Sequence, residues 1–169
     1  MSEIPILIVC DAANTVKNVG KGGTLANPRS LGSQQSSCIF MITENSYLVN
    51  NQAGAELEVK VHSGDIIMWR ATTVTKGNDY NIILVKYTSD SPTYVEDPEM
   101  KNVTLDLWEP ADVKNPDGSM KEVNYPDYEL QATVLLPNHR VTYHWTFKLV
   151  DRDGNVLGYY NWDPYIKIS

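Results

Sequence analysis

Basic residues are scarce in this chain of 169 residues, which has 14 Lys and Arg against 21 Asp and Glu and a formal charge of −7. Nucleic acids and anionic membrane surfaces are bound mainly through clustered Lys and Arg. We therefore expect no nucleic-acid partner and no membrane partner. The length fits one domain over residues 1–169, which is large enough to form a core without disulfides or metals.

Long apolar runs are also missing from the sequence. No segment approaches the roughly 20 apolar residues that span a bilayer. Residues 4–9 are apolar, but they are too few for the core of a signal peptide, they lack a basic flank, and Asp11 follows closely. We therefore predict a cytoplasmic protein without a signal peptide, a location compatible with release by lysis or by an unconventional route.

Cysteine and histidine, the usual zinc ligands, number only two and three. Cys10 and Cys38 both lie in apolar runs, and cytosolic thiols are normally reduced, so we predict two buried free thiols. They can pair only if their strands are neighbours. His139 and His144 are five residues apart, which on a strand places them on opposite faces. No spacing indicates zinc, and we expect no metal and no cofactor.

Helical periodicity is absent as well, and a period of two dominates the sequence. Residues 141–149 alternate without a break, which is typical of a half-buried antiparallel strand. Residues 4–10, 66–69 and 82–85 are apolar at consecutive positions, which predicts central strands covered on both faces. The pattern predicts an all-β, single-domain antiparallel β-sandwich of about nine strands, jelly-roll or immunoglobulin-like, with a closed barrel as the second choice.

Turn signals separate the predicted strands. Residues 63–65 and the Asp-Gly pair at 153–154 predict tight connections, and residues 115–118 predict a tight turn within a more polar stretch. We expect long irregular loops at about residues 12–37, 89–102 and 110–127. Loops of this length on a β-scaffold are often functional.

Motifs for covalent catalysis and for phosphate binding are missing too. Asp151, Asp153 and Asn155 place oxygen ligands at alternate positions, as a calcium loop begins, but position 12 is Trp162 and the flanks are strands. A hairpin turn explains this segment better, so these three residues are only a weak metal candidate. We predict that the protein is not an enzyme.

The densest aromatic cluster of the sequence covers residues 158–165. Aromatic ring faces beside Asn and Asp side chains are typical of sugar-binding sites. The candidate ligand-binding residues are Tyr159, Tyr160, Asn161, Trp162 and Asp163. The alternative interpretation is structural, because on a strand Tyr160 and Trp162 point into the core while Tyr159 and Asn161 lie on the outer face.

Three blocks of the sequence resemble a known family. Residues 158–166 read Gly-Tyr-Tyr-Asn-Trp-Asp-Pro-Tyr-Ile and resemble the closing motif G-Y-[FY]-x-W-D-P-x-I of the PixA/AidA inclusion-body protein family. Residues 64–70, with Gly77-Asn78-Asp79 and the strand at 82–87, resemble its central block. Residues 6–11, Asn27-Pro28 and residues 39–42 follow in the same order, while residues 12–37 and 89–127 look divergent.

The resemblance implies a small bacterial protein, regulated by quorum sensing or by phase, without established catalytic residues. Some members of the family accumulate as crystalline cytoplasmic inclusions in nematode-associated insect pathogens. We therefore predict a non-enzymatic inclusion-body protein that self-assembles, with a homodimer as the default, and that is linked to host association. The alternative is a lectin that binds host or neighbouring-cell glycans through residues 12–37 and 159–165.

Overall fold

Twelve β-strands are present in the computed structural model, which describes residues 1–76 and 78–169. In chain order they are β1 (Glu3–Cys10), β2 (Arg29–Ser30), β3 (Ile39–Thr43), β4 (Leu48–Asn50), β5 (Glu58–Val61), β6 (Ile66–Thr73), β7 (Tyr80–Ser89), β8 (Glu99–Pro110), β9 (Met120–Thr133), β10 (His139–Asp151), β11 (Val156–Trp162) and β12 (Tyr165–Ile168). Gly77, quoted above as part of the central block, lies outside the described residues.

The first sheet has five strands in the order β3-β1-β6-β9-β8. β1 is its centre, antiparallel to β3 and parallel to β6. β6 pairs with β9 only through Ile66–Trp69, opposite residues 130–133, whereas β9 pairs with β8 along twelve residue pairs. The β8–β9 hairpin therefore extends well beyond the strand that joins it to the sheet.

The second sheet has seven strands arranged around β10. β11 and β12 lie in line along one edge of β10, because Trp145 is opposite Trp162 and Thr142 is opposite Tyr165 in a single continuous register. β7 pairs along the other edge. The outer neighbours of β11 and β12 are β2 and β5, which run parallel to them.

The core lies between the two sheets and is rich in aromatic rings. Trp69 of the first sheet packs edge-on against Trp145 of the second, with ring centroids 5.6 Å apart. The Trp69 Nε1–H donates to the hydroxyl of Tyr143 at 3.2 Å, which satisfies a buried polar group across the core. This architecture confirms the all-β sandwich; the sheets are open rather than closed into a barrel, and they are mixed because three strand pairs run parallel.

The three strands predicted to be covered on both faces are covered on only one. In β1 the residues Ile4, Ile6 and Ile8 are buried, while Pro5 is partly exposed and Leu7 is exposed. β6 and β7 alternate in the same way. No layer packs on the outer face of either sheet in the described chain, so consecutive apolar residues there face solvent in turn.

The predicted irregular loop at residues 12–37 is wrong in its first and last parts. It contains helices α1 (Ala12–Asn18) and α2 (Gln35–Cys38), and a 3₁₀ turn, Gly32–Gln34, precedes α2. The Asp11 carboxylate caps α1 by accepting the backbone N–H of Asn14 at 2.9 Å. Helices of seven and four residues are too short to show a helical period in the sequence.

The other two predicted loops are shorter than expected. The connection between β7 and β8 covers residues 90–98, and that between β8 and β9 covers residues 111–119. The tight turn at residues 115–118 is present, with the Gly118 N–H donating to the Asn115 carbonyl at 3.0 Å. The tight connection at residues 63–65 is confirmed and links β5 of the second sheet to β6 of the first, and residues 152–155 form the turn of the β10–β11 hairpin. No helix in the described residues is long and apolar enough to cross a membrane.

Candidate functional site

The aromatic segment at residues 158–166 is divided between the core and the surface. The Tyr160 and Trp162 side chains are 0% and 1% exposed. The Tyr160 hydroxyl donates to the Gly20 carbonyl at 2.9 Å, and Trp162 Nε1–H points to the Met41 sulfur at 3.4 Å. A ligand at the surface cannot stack on either ring in this conformation, so two of the five candidate residues belong to the core.

The remaining three candidates form a strip on the outer face of the second sheet. Tyr159 and Asn161 are partly exposed and Asp163 is exposed. Asp163 Oδ1 lies 2.5 Å from Nδ1 of His144, which is directly across on β10. Lys148 lies opposite Tyr159 in the same ladder. This strip offers one aromatic ring and several hydrogen-bonding groups, which suits recognition of a polar surface more than catalysis.

The turn that contains Asp151, Asp153 and Asn155 uses its carboxylate internally. Asp151 Oδ1 accepts the backbone N–H of Asp153 at 3.0 Å and that of Asn155 at 2.9 Å, and the Asn155 side-chain amide donates to Oδ2 at 3.0 Å. The bonds from Asn155 are the main cause that lowers the pKa of Asp151. No set of three or more His, Cys, Asp or Glu side chains within residues 1–76 and 78–169 is arranged to hold a metal ion.

The two cysteines lie in adjacent segments, and both are free and buried. Cys10 is followed by Asp11, whose N–H donates to the Cys38 carbonyl at 2.8 Å. Burial raises the pKa of the Cys10 thiol to about 12. A thiol with so high a pKa is a poor nucleophile at neutral pH, as expected for a core cysteine.

A Ser–His pair was missed by the sequence analysis because its members are far apart in the chain. Ser91 Oγ lies 2.8 Å from His139 Nε2, and the His139 ring stacks on Tyr94 with centroids 4.1 Å apart. In the described part of the chain no carboxylate forms an ion pair with His139. The pair lacks the acidic partner that orients a catalytic histidine, and we assign it to loop packing.

The β8–β9 arm, defined here as residues 101–129, was missed as a hairpin because most of its β9 half was predicted to be a loop. Directly opposite residues share a face, so Val103, Leu105 and Leu107 of β8 lie beside Val123 and Tyr125 of β9 on one face of the arm. This apolar face borders an open groove of about 290 Å³ beside the β6–β7 turn. The Trp108 side chain on the opposite face is 65% exposed.

The arm has unpaired backbone edges on both sides. β8 is the last strand of the first sheet, and in the described residues its outer edge has no strand partner. β9 pairs with β6 only from Leu130 onward, so its outer edge within the arm is unpaired as well. A two-stranded ribbon with an exposed apolar face is marginally stable by itself in water, and its edges are templates for another strand.

The strand order and the burial pattern define an all-β sandwich with a projecting two-stranded ribbon. Comparison with known proteins shows the family to which the chain belongs. The PixA family model, described as "Inclusion body protein", matches residues 2–168. The chain therefore belongs to the PixA inclusion body protein family. A comparison with curated protein sequences gave no match.

A solved structure from the same family shares the fold of this chain. The crystal structure of an inclusion body protein of the PixA family from Burkholderia cenocepacia aligns with a TM-score of 0.75 at 16% identity, over 99% of this chain and 96% of that chain. A multicopper oxidase that functions in iron import, Fet3p, aligns at a TM-score of only 0.32, with 12% identity over 99% of this chain and 28% of that chain. The first comparison shows the fold, and the second carries no argument.

Proposed function

We propose that this chain is a non-enzymatic protein that accumulates in the cytoplasm and self-assembles into inclusions. The observation that carries the proposal is the β8–β9 arm, which combines unpaired strand edges with an exposed apolar face. Both features are typical of surfaces that pair with another chain. Membership of an inclusion body protein family supports the same function.

The test is electron microscopy of bacteria that express the full chain. We expect inclusions with a regular lattice spacing that release folded protein in mild buffer without denaturant. An amorphous deposit that dissolves only in denaturant would indicate misfolding instead. A chain that stays evenly dispersed at high abundance would contradict the proposal.

The net charge makes a second test available. At pH 7 the formal charge of −7 opposes packing of copies, and this repulsion falls as carboxylates are protonated toward the pI near 4.9. We expect light scattering of the purified protein to rise as the pH falls from 8 to 5 and as salt screens the remaining charge. Scattering that does not change over this range would contradict charge-limited assembly.

A second candidate function is carbohydrate binding on host or neighbouring-cell glycans, which would also account for the proposed link to host association. It is favoured by the outer strip, where Tyr159, Asn161 and Asp163 face solvent together. The test is a glycan array with calcium and with chelator, comparing the wild type with Tyr159→Ala. We expect the variant to remain folded and to lose binding; a blank array from folded wild type would remove this candidate.

A further inference from the structure

The outer edge of β8 is a long, unused pairing surface. The strand has twelve residues, Glu99–Pro110, which at roughly 3.3 Å per residue gives an edge of about 40 Å. Its inner edge is fully occupied by β9. The side chains of β8 indicate which strand can pair with this outer edge.

Backbone geometry limits how two copies of β8 can pair. In an antiparallel ladder the N–H and C=O of one residue point to the same side, and the side alternates along the strand. Only every second residue of β8 therefore points its hydrogen-bonding groups away from β9. When two copies of β8 pair antiparallel, residues with outward-pointing backbone groups must lie opposite each other. The residue numbers of two opposing positions therefore differ by an even number.

Among the registers near the middle of the strand, one is favoured by charge and by apolar contact. When Leu105 of one copy lies opposite Leu105 of the other, Val103 lies opposite Leu107 and Lys101 lies opposite Glu109 of the other copy. The two-fold axis repeats both contacts on the other side of Leu105. All five residues lie on the apolar face of the arm. This register therefore places an ion pair at each end of an apolar centre.

The neighbouring allowed registers are worse. Moving the centre to residue 104 brings Glu99 opposite Glu109, and moving it to residue 106 brings two copies of Asp106 face to face. Like charges directly opposite each other destabilise a strand pair. Charge therefore selects the register, which is the usual contribution of charged groups at an interface.

Lys101 and Glu109 lie opposite Glu129 and Lys121 in the β8–β9 ladder of the same chain, but neither of these cross-strand pairs forms an ion pair within the described residues. Lys101 Nζ lies 2.6 Å from Glu99 Oε2, and the Tyr125 hydroxyl donates to Glu109 Oε1 at 2.8 Å, both in exposed positions. Exposed pairs of this kind contribute little to stability. Exchanging them for contacts with a second copy costs little.

We propose that two copies of this chain pair β8 against β8 around a two-fold axis at Leu105, which joins their first sheets into one continuous ten-stranded sheet. The contact is isologous, so each copy uses the same surface and the pairing closes as a dimer. This inference rests on the proposed self-assembly and names the contact that begins it. Larger assemblies then grow from dimers through other surfaces.

Disulfide trapping tests the register directly. In the proposed dimer the two Leu105 positions are directly opposite, within the Cα separation of about 4.4–6.8 Å that a disulfide spans. The two Leu107 positions are four residues out of register, about 13 Å apart along the strand. After mild oxidation we expect Leu105→Cys to run as a dimer on a non-reducing gel and Leu107→Cys to run as a monomer. The native cysteines are buried and add no background.

Charge reversal tests the energetics. Lys101→Glu places carboxylates opposite Glu109 twice, so we expect the dimer dissociation constant to rise about tenfold, and Lys101→Glu with Glu109→Lys to restore much of it. The control is Lys86→Glu, the same change at an exposed position of β7 in the second sheet, which we expect to leave the constant unchanged. Sedimentation equilibrium gives the constants, and near-ultraviolet dichroism checks the fold.

The outcomes separate the two proposals. A monomeric wild type, equal trapping of the two cysteine variants, or a Lys86→Glu effect as large as that of Lys101→Glu would overturn the β8 dimer. Inclusions that form without trapping at Leu105 would leave the proposed function standing and remove this contact. Trapping at Leu105 without inclusions in cells would keep the dimer and remove the proposed function.

Discussion

The β11–β12 segment and the β8–β9 arm have similar sequence patterns and opposite environments. Each alternates apolar or aromatic residues with polar ones, and each carries a tryptophan. Trp162 of β11 is 1% exposed, whereas Trp108 of β8 is 65% exposed. The difference comes from what lies opposite: β11 faces the first sheet across the core, and the arm extends past β6, the strand that anchors it.

The comparison shows that alternation predicts a strand but does not predict what covers it. In the sandwich the second sheet covers the inner faces, and the aromatic rings become structural. In the arm the same kind of face is exposed, so a partner can gain by covering it. Matched substitutions in the two regions can therefore separate residues that stabilise the fold from residues available for assembly.

The largest expected difference is between the two tryptophans. Trp162→Ala removes a buried ring that packs edge-on against Phe147 with centroids 5.4 Å apart. We expect it to lower the free energy of unfolding by about 3–5 kcal/mol, the usual cost of truncating a core aromatic residue. We expect Trp108→Ala to change it by less than about 0.5 kcal/mol. Urea titration followed by the remaining tryptophans measures both values.

Two results would contradict this contrast. A Trp162→Ala variant as stable as the wild type would mean that the ring is not part of the core, and the sugar-binding interpretation of the cluster would regain its stacking residue. A strong loss of stability in Trp108→Ala would mean that a dimer contact covers the ring. Measuring this variant at protein concentrations above and below the dimer dissociation constant distinguishes the effect on the dimer from the effect on the monomer.

The same contrast shows how far the sequence alone could lead. Alternation correctly predicted the strands near residues 141–149 and 156–162. The inward direction of Tyr160 and Trp162 agrees with the alternative, structural interpretation of the cluster and not with their choice as ligand-binding candidates. The alternation of Val103, Leu105 and Leu107 predicted a short strand within β8, but the β9 half of the arm was missed because Pro126 and the polar residues around it are typical of a loop. Pro126 is tolerated in β9 because its outer edge has no strand partner at that point, so no ladder hydrogen bond is lost.

Contacts between distant segments were beyond the reach of sequence patterns. The pairing of His144 with Asp163 depends on the exact register between β10 and β11. The Ser91–His139 contact depends on how a loop folds over the end of β10. Both require a three-dimensional arrangement that no local period encodes.

Replacing either of two glycines by alanine is expected to have an intermediate effect on stability. A Cβ on Gly158 would overlap the Gly22 backbone and approach the Tyr160 hydroxyl at 2.7 Å. Gly158→Ala must push the 20–24 turn away from β11, and we expect it to cost about 1–3 kcal/mol of stability. Gly118→Ala in the arm meets mainly the Asn115 side chain, which can move, so we expect a smaller loss. Equal losses in thermal unfolding would contradict the close approach of the two backbones at Gly158.

The smallest contrast involves two carboxylates, and it depends on pH. Asp65 is buried, which by itself raises its pKa, but the N–H donors of Ser2 at 2.7 Å and His62 at 2.9 Å outweigh burial and lower the pKa below its usual value. A lowered pKa in the folded state stabilises the protein above about pH 4, and this stabilisation is lost as the pH falls further. Asp65→Asn can accept only one of these bonds, so we expect a loss of about 1–2 kcal/mol at pH 7.

The stabilities of the wild type and Asp65→Asn should converge as the pH falls through the lowered pKa of Asp65, because the wild-type carboxyl is then protonated as well. The matched change in the arm is Asp106→Asn, where the exposed carboxylate accepts from the Asn124 amide at 2.6 Å, and we expect no measurable effect at any pH in this range. Urea midpoints of the wild type and the two variants, measured in steps from pH 7 to pH 2, give these differences in stability. A gap between wild type and Asp65→Asn that does not narrow as the pH falls would show that the asparagine disturbs packing rather than removing a charged acceptor.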